Sequence, residues 1–479
     1  MKGLAPTPPQ GAPPLDPIET TLGFWKYCAS LAGLWWSRHG GVPPEALARE
    51  RLRELVAFAR ERSPWYRRRY AHLPAQVDST AALPIVRRAE LMAHFDAACT
   101  DPRVTRAAVE RFLADRRRVG EPFLGRYLAW KSSGTSGEPG LFVQDPDAIA
   151  AYEALVAAQL ESAPVDPARL LAGQGRAALV IATGDHYASI TAWEHLRRVF
   201  PGSEARSFPV LAPLAELVAA LNAFAPAFLA SYPSVLALLA AERRAGRLAI
   251  APAIAWSGGE TLAPRMRHEI ERAFGCPLLE EYGASECLAI AHGCREGWLH
   301  ANSEWVVVEP VDRDGRATAP GATSHTVLVT NLANRVQPIL RYDLGDRVTL
   351  AAGPCPCGDP RPAMRVAGRN AAPLSFRSAD GRVVELVPLA IETAAEAEAG
   401  QARFQIVRLA PDRLGVRLDP GEPDRAGVGR RIVRALRDWL DAQSLGNVRV
   451  ALLRQGPRVD PRSGKLPAVT VETRCRTKA

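Results

Sequence analysis

The chain has 479 residues, of which 47% are apolar, so it can bury a large core and its length predicts two to four folding units. Basic residues outnumber acidic ones by 60 to 51. The arginines are spread through helical-looking stretches such as residues 45–62 and 103–118, and no nucleic-acid recognition motif accompanies them. Together these features argue against a nucleic-acid-binding protein.

The hydropathy pattern argues against a membrane protein. A spanning helix needs roughly 18 uninterrupted apolar residues. The longest apolar segment, residues 22–36, contains Lys26 and predicts an amphipathic helix instead. Prolines follow Met1-Lys2-Gly3 where a secretory signal would be apolar, and eight cysteines are too few for a disulfide framework in this chain. We therefore expect a cytoplasmic protein with no membrane partner, whose cysteines are reduced or bind metal.

The predicted elements change character along the chain. Residues 1–17 contain six prolines and predict a disordered, extended lead-in, and the apolar spacing from Glu19 to Leu113 predicts a helical cap. Beyond Tyr127, short strands alternate with helices. The predicted strands are 178–182, 227–231 and 253–257, and the predicted helices are 148–161, 214–224 and 234–245. This alternation predicts the α/β class, with parallel sheets covered by helices.

The last third of the chain is richer in strands. Residues 305–309, 325–331 and 347–350 predict strands of a small β unit. After Gly368-Arg369, the pattern predicts strands at 384–386, 403–409, 414–418 and 448–453 and a helix at 426–443. We therefore expect three parts: the lead-in 1–17, a large domain 18–370, and a small α+β C-terminal domain 371–479.

One loop is rich in hydroxyl groups and glycine: Ser132-Ser133-Gly134-Thr135-Ser136-Gly137-Glu138-Pro139-Gly140. Its backbone N–H groups can approach a ligand closely, and its hydroxyls can reach a phosphate. It lacks the residue order of the Walker phosphate loop. Taken alone, the segment is better interpreted as an ordinary turn.

Further motifs follow in a recognisable order: Glu280-Glu281-Tyr282-Gly283-Ala284-Ser285-Glu286, Arg341-Tyr342-Asp343-Leu344-Gly345-Asp346, Gly368-Arg369 and Arg462-Ser463-Gly464-Lys465-Leu466. This series resembles the adenylate-forming superfamily of acyl-CoA ligases, luciferases and peptide-synthetase activation domains. Four more segments resemble its phenylacetate–CoA ligase-like branch: Ser63-Pro64-Trp65-Tyr66, Leu83-Pro84-Ile85-Val86, Ser231-Tyr232-Pro233-Ser234 and Cys355-Pro356-Cys357-Gly358. The resemblance covers roughly residues 50 to 475.

The resemblance implies an ATP site. The phosphate-binding loop would comprise Ser132, Ser133, Gly134, Thr135, Ser136 and Gly137. Tyr282 would stack on adenine, whose edge would be lined by Gly258, Gly259 and Glu260. Asp346 would bind the ribose hydroxyls, and Arg369 would lie beside the ribose and phosphate. Ser285 would bond the α-phosphate, and Glu286 would hold Mg²⁺, which prefers carboxylate oxygen.

Lys465 is the residue expected to carry the chemical step. A carboxylate that attacks an α-phosphate needs its own charge and the developing negative charge to be countered. Considered alone, Lys465 would be interpreted as a solvated loop lysine. Its place after Gly464, at this distance from the other motifs, favours the catalytic interpretation.

The branch resemblance also places an acyl pocket near His186 and Tyr187, with Tyr232, Ser257 and Ala284 as further lining residues. A lone histidine is more often a core or surface residue, so His186 keeps that alternative.

The cysteines provide a second line of argument. Cys294, His300, Cys355 and Cys357 offer three sulfurs and one imidazole, a set suited to a closed tetrahedral Zn²⁺ site, and related ligase-like proteins carry a similar pattern. Such a site would brace the fold and would not activate water. Reduced thiols in a tight turn are the alternative. The lower-ranked ligands are Cys276, Cys287 and His292, and the cysteines interpreted as ordinary thiols are Cys28, Cys99 and Cys475.

The implied reaction is ATP-dependent conversion of a carboxylic acid, aromatic or heteroaromatic by the resemblance, to an acyl-AMP and pyrophosphate. The usual acceptor is the CoA thiol. The hinge position holds Ala371, and Asp380-Gly381-Arg382-Val383-Val384 replaces a glycine-centred strand, so an amine or a carrier-protein thiol in a biosynthetic, secondary-metabolic pathway stays open as the acceptor. A catalytically silent nucleotide-binding protein is the least favoured alternative, since Lys465, Glu286 and Asp346 are all present. A homodimer is also left open.

Overall fold

The computed structural model describes residues 28–35, 41–132, 139–200, 204–367, 373–400, 402–458 and 467–472. A helix covers residues 28–35. The other α-helices are Pro44–Arg62, Pro64–Arg69, Arg88–Ala93, Phe95–Ala98, Arg106–Leu113, Pro146–Glu161, Pro167–Ala172, Ala188–Val199, Leu214–Phe224, Pro233–Arg244, Pro264–Phe274, Pro388–Ala399 and Arg425–Ala442. Short 3₁₀ turns cover Thr80–Ala82 and Arg116–Arg118. Among the residues that the structure describes, no helix has the length and apolar character needed to cross a membrane.

The strands are β1 (Leu128–Lys131), β2 (Leu141–Gln144), β3 (Ala177–Ile181), β4 (Ala205–Pro209), β5 (Phe228–Ser231), β6 (Ile254–Ser257), β7 (Leu278–Ala284), β8 (Cys287–Gly293), β9 (Leu299–Ala301), β10 (Val306–Val311), β11 (Thr326–Asn331), β12 (Ile339–Asp343), β13 (Val348–Leu350), β14 (Ala363–Val366), β15 (Leu374–Arg377), β16 (Val383–Leu386), β17 (Phe404–Ala410), β18 (Arg413–Leu418), β19 (Arg449–Leu452) and β20 (Val469–Val471).

The largest sheet in the described residues has nine strands in the order β13-β14-β9-β8-β7-β6-β5-β3-β4. The half from β7 to β4 is parallel, and the half from β7 to β13 is antiparallel. The parallel half confirms the predicted α/β class. The three predicted strands correspond to β3, β5 and β6, and these strands and the three predicted helices begin and end within two residues of the predicted positions. β7 joins the two halves, so residues on this strand lie near the centre of the sheet.

Local sequence explains how these elements form. The helix Pro146–Glu161 begins at the Asp145 carboxylate, which accepts hydrogen bonds from the N–H groups of Asp147 and Ala148, and proline occupies its first turn. In β3, side chains alternate between the two faces of the sheet, as the period of a strand requires. Ala178 and Val180 pack against the helices of one face, whereas Leu179 and Ile181 face the other.

One prediction about the strands was wrong. The small sheet is β10-β11-β12, whereas β13, which covers the predicted strand at 347–350, pairs with β14 in the nine-stranded sheet. The antiparallel strands β8, β9 and β14 were not predicted. β12 takes the place that the sequence suggested for β13, and it ends at Asp343, three residues before Asp346.

Residues from Leu374 to Val469 form a hydrophobic cluster around β17, β18 and the helices Pro388–Ala399 and Arg425–Ala442. Part of this unit packs on the rest of the chain. The Trp439 indole Nε1 and the Gln443 amide Nε2 both donate to the Leu211 carbonyl, at 3.0 and 2.9 Å. The predicted domain boundary at 370/371 and the lead-in 1–17 lie outside the described residues.

Candidate active site

The hairpin β1–β2 presents the base of the predicted phosphate-binding loop. The Ser132 N–H donates to the Gly140 carbonyl at 2.8 Å, and the Gly140 N–H donates to Ser132 Oγ at 2.9 Å. A Cβ atom on Gly140 would lie 2.7 Å from the Phe142 ring, so only glycine fits without a shift. The remaining predicted loop residues lie outside the described residues: Ser133, Gly134, Thr135, Ser136 and Gly137.

The predicted adenine and ribose residues lie together. The Tyr282 hydroxyl on β7 donates to Asp346 Oδ2 at 3.0 Å. The Trp130 indole Nε1 on β1 donates to the Ser285 carbonyl at 2.8 Å, which connects the loop hairpin to the end of β7. Three motifs that are far apart in sequence therefore meet at one place in the fold.

Glu286 is buried at this meeting point. Its side chain is nearly inaccessible, and its Oε1 atom has no hydrogen-bond partner among the described residues. Burial raises the pKa of Glu286, while the positive charge of Arg88, 3.8 Å from Oε1, acts in the opposite direction. The Asn331 amide donates to the Glu286 carbonyl at 3.1 Å and fixes the backbone. A buried carboxylate oxygen that accepts no hydrogen bond is a ligand atom that suits a hard divalent cation.

Arg88 is a functional candidate that the sequence did not identify. The Val86 N–H donates to the Arg341 carbonyl, and the Asp343 N–H donates to the Val86 carbonyl, so residue 86 lies beside β12. This bridge brings Arg88 next to Glu286. The signal in the sequence was the segment Leu83-Pro84-Ile85-Val86, which ends two residues before Arg88.

The Gly258-Gly259-Glu260 segment follows β6. Gly259 has a φ of +79°, and a Cβ there would lie 3.0 Å from the Tyr232 ring, so glycine lets the backbone pass across that ring. Glu260 Oε2 accepts a hydrogen bond from the Ser234 N–H at 3.1 Å, in the first turn of the helix Pro233–Arg244. Glu260 therefore holds the start of this helix.

The predicted pocket residues lie in different surroundings. Tyr187 and Tyr232 pack together with Trp256, and Ser257 is fully buried with an Oγ that has no partner in the described part of the chain. Ala284 is partly exposed at the end of β7.

His186 is fully buried, and its Nε2 lies 2.9 Å from the Asp115 carbonyl. A carbonyl only accepts, so Nε2 carries the proton. The ring also contacts Phe112, and burial lowers the pKa of His186. These contacts are those of a packed core histidine, the alternative that the sequence left open.

The four predicted metal ligands converge. Cys294, His300, Cys355 and Cys357 place their ligand atoms within 4.8 Å of one another. The sulfurs of Cys294 and Cys355 are 3.8 Å apart, which matches the edge of about 3.8 Å of a tetrahedron with Zn–S bonds of about 2.3 Å. His300 Nδ1 donates to the Arg361 carbonyl at 3.0 Å, which leaves Nε2 directed at Cys357 Sγ, 3.2 Å away. The donor set and its geometry fit zinc.

The lower-ranked ligands are engaged elsewhere. His292 Nδ1 pairs with the Asn302 amide oxygen, and its Nε2 lies 3.0 Å from the Arg361 guanidinium. Cys276 and Cys287 are buried in two other hydrophobic clusters, and burial raises the pKa of both thiols. The other thiols named in the sequence, Cys28 and Cys99, are free, and Cys475 lies outside the described residues.

Two predicted site residues, Arg369 and Lys465, lie outside the described residues. Their expected roles beside the ribose and at the α-phosphate stay predictions.

The sequence is similar to two known proteins. No known family model matches the chain. The sequence is 24% identical over 334 residues to phenylacetate-coenzyme A ligase of Thermus thermophilus, a match that covers 65% of this chain and 67% of that protein. It is 31% identical over 132 residues to protein CapK of Staphylococcus aureus, covering 27% of this chain and only 28% of CapK.

Matches to solved structures cover more of the chain than the sequence matches do. A 2-hydroxyisobutyryl-CoA ligase with 2-HIB-AMP and CoA in the thioesterification state superimposes with a TM-score of 0.52 at 22% identity, over 90% of this chain and 91% of that chain. The same ligase in the postadenylation state with 2-HIB-AMP gives 0.50 at 21% identity, over 89% of both chains. The chain has the adenylate-forming ligase fold. The predicted resemblance to the phenylacetate–CoA ligase-like branch is thus confirmed.

Proposed function

We propose that the protein activates a carboxylic acid with ATP, forming an acyl-AMP and releasing pyrophosphate, and then transfers the acyl group to a nucleophile, with the CoA thiol as the favoured acceptor. The observation that carries this proposal is the contact between Tyr282 and Asp346 beside Ser285 and the buried Glu286. The residues expected at adenine, ribose, α-phosphate and metal come together in the adenylate-forming ligase fold.

The proposed first step joins a carboxylate oxygen to the α-phosphorus and breaks the bond from that phosphorus to the pyrophosphate oxygen. Ser285 would hold the α-phosphate, and Lys465 would counter the negative charge that develops there. Glu286 would hold Mg²⁺, which would neutralise charge on the phosphates. Arg88 would add a further positive charge to the region where the phosphates bind.

For the acid, we propose an aromatic or heteroaromatic carboxylate. Tyr187, Trp193, Tyr232 and Trp256 lie in one hydrophobic cluster on the sheet that carries β7. Aromatic side chains provide large apolar surface and favour stacked or edge-to-face contacts with an aromatic ligand. The names of the similar proteins support CoA as the acceptor, because two of them are acid–CoA ligases.

We also propose that Cys294, His300, Cys355 and Cys357 hold a structural zinc ion. Four protein ligands leave no open coordination position, so the ion would contribute stability and no catalytic step. It would connect the β8–β9 hairpin to the segment between β13 and β14.

Acid-dependent exchange of pyrophosphate into ATP tests the adenylation step. Purified protein with ATP and Mg²⁺ should exchange pyrophosphate only when a suitable aryl acid is present. Absence of exchange across a broad acid panel would refute the proposal. Product analysis with CoA, with simple amines and with carrier proteins then identifies the acceptor, and product with amines alone would replace CoA in the proposal.

A further inference from the structure

The two faces of β7 carry different side chains. Trp256 on β6 lies opposite Leu279 in the strand register, and residues two apart on a strand share a face. Trp256, Leu279 and Glu281 therefore lie on one face, where the Trp256 indole is a neighbour of the Glu281 carboxylate. Tyr282 points to the other face, toward Asp346. Glu281 consequently lies on the face away from the proposed ribose-binding residue.

Aromatic side chains lie on the Glu281 face of the sheet. Tyr187, Trp193 and Tyr232 pack around Trp256, yet each remains partly exposed. Trp193 Nε1 is buried and has no hydrogen-bond partner among the residues that the structure describes. Partly exposed rings and an unused donor are typical of a surface that receives a ligand.

No positively charged side chain among the described residues is paired with the Glu281 carboxylate. Its neighbour Glu280 forms an ion pair with Arg267, whereas Glu281 forms no ion pair with any described residue. Burial raises the pKa of Glu281 to about 7. A desolvated carboxylate without a cationic partner is costly, and a ligand that supplies a cation or an N–H donor would offset part of that cost.

The surroundings of these aromatic rings are also acidic. The charges that act on Tyr232 come from Glu260, Glu392 and Glu396, and the Tyr187 hydroxyl donates to Glu396 at 3.0 Å. This negative region lies in a protein whose net charge is +9. Aromatic rings and carboxylates both attract a cation or an N–H donor. This region is therefore poorly suited to a purely apolar acid.

We propose that Glu281 selects the acid substrate by accepting a hydrogen bond from a protonated amine or ring N–H group on the acyl portion. The substrate class is then a carboxylic acid, aromatic in part, that carries a basic or N–H-bearing nitrogen. This inference rests on the proposed acid activation and specifies which acids the site prefers. Glu281 is a specificity-determining residue and takes no part in bond making.

The test compares pairs of aryl acids that differ only in a methyl or an aminomethyl substituent, at several ring positions. In pyrophosphate exchange, the wild-type protein should prefer the aminomethyl member of at least one pair. Glu281→Gln should lower kcat/KM for that member by about 10- to 100-fold, the usual cost of losing a hydrogen bond to a charged group. The neutral member should change by less than about twofold. Glu281→Asp, which keeps the charge, should retain part of the preference.

Glu153→Gln is the matched control. Glu153 lies on the helix Pro146–Glu161, burial raises its pKa to about 7 as well, and no ion pair with a described residue is present. This variant should leave the preference between the paired acids unchanged. Equal preference in wild type and Glu281→Gln, with exchange intact, would overturn the inference and leave acid activation standing.

A binding measurement separates the two proposals. Aminomethylbenzoates should raise the thermal stability of the wild-type protein without ATP, and should raise that of Glu281→Gln much less. If this difference in stabilisation is seen while no acid supports pyrophosphate exchange, the proposed selection by Glu281 is supported and the proposed acid activation is refuted. If neither binding nor exchange depends on Glu281, the inference is wrong.

Discussion

Replacing Glu281 by glutamine should make the protein more stable at alkaline pH, because burial raises the pKa of this carboxyl from 4.5 to about 7. Below pH 4.5 the carboxyl is protonated in both the folded and unfolded chain, and its pKa shift costs nothing. As the pH rises from 4.5 to 7, the unfolded chain releases the proton first, so the free energy of unfolding falls. Above pH 7 the carboxyl is ionised in both the folded and the unfolded chain, and the free energy of unfolding falls no further.

The size of the effect follows from the shift. A rise of the pKa from 4.5 to about 7 lowers the free energy of unfolding by about 3 kcal/mol at pH 8 and by about 1 kcal/mol at pH 5. Glutamine cannot ionise and keeps a carbonyl oxygen for the Trp256 indole. The free energy of unfolding of Glu281→Gln, relative to that of the wild type, should therefore rise by about 2 kcal/mol from pH 5 to pH 8.

Urea unfolding at the two pH values measures this difference. Glu153→Gln should show a similar pH-dependent gain, since burial alone raises the pKa of Glu153 to about 7. Glu161→Gln, at an exposed position on the same helix, is the surface control for the substitution itself. Identical pH dependence in wild type and Glu281→Gln would refute the reasoning. Because Glu153→Gln shares the stability effect and should not share the change in acid preference, the pair of variants separates stability from selection.

Three further results are expected. Lys465→Ala should slow adenylation by about 100-fold or more with ATP binding nearly unchanged, because a transition-state charge loses its partner; unchanged pyrophosphate exchange would remove Lys465 from the mechanism. Metal analysis should find about one zinc per chain in wild type and far less in Cys355→Ser, with a lower melting temperature; a metal-free protein of full stability would contradict the zinc site. Tyr187→Phe removes the hydrogen bond to Glu396 and should speed amide hydrogen exchange in the helix Pro388–Ala399 by about tenfold; equal exchange would show that this contact does not hold the helix.

The sequence predicted β3, β5 and β6 of the parallel half because strands and helices alternate along that part of the chain, and both periods are local signals. The antiparallel half depends on pairings between distant segments, such as β14 with β9 and β13. Nothing in residues 347–350 indicates which strand they pair with. That is why β13 was placed in the small sheet.

Some site residues were identified from sequence motifs, and others only from contacts in the structure. Tyr282, Asp346 and Glu286 lie in motifs with a fixed order, so resemblance identified them. Arg88 and Trp130 act through contacts with residues nearly two hundred and more than one hundred and fifty positions away. Glu281 lies inside a recognised motif, yet only the structure shows that it lacks the ion pair that its neighbour has.

The position of β7 has a consequence for how this protein can change. Adjacent residues of one strand serve different ligands in the proposed site, with Glu281 toward the acid and Tyr282 toward the nucleotide. A substitution at 281 can therefore alter which acid is accepted while the groups that handle ATP stay in place. An insertion or deletion of one residue in β7 would exchange the two faces and disable both functions together. Mutagenesis libraries for new acids should accordingly vary residue 281 and keep the length of the strand constant.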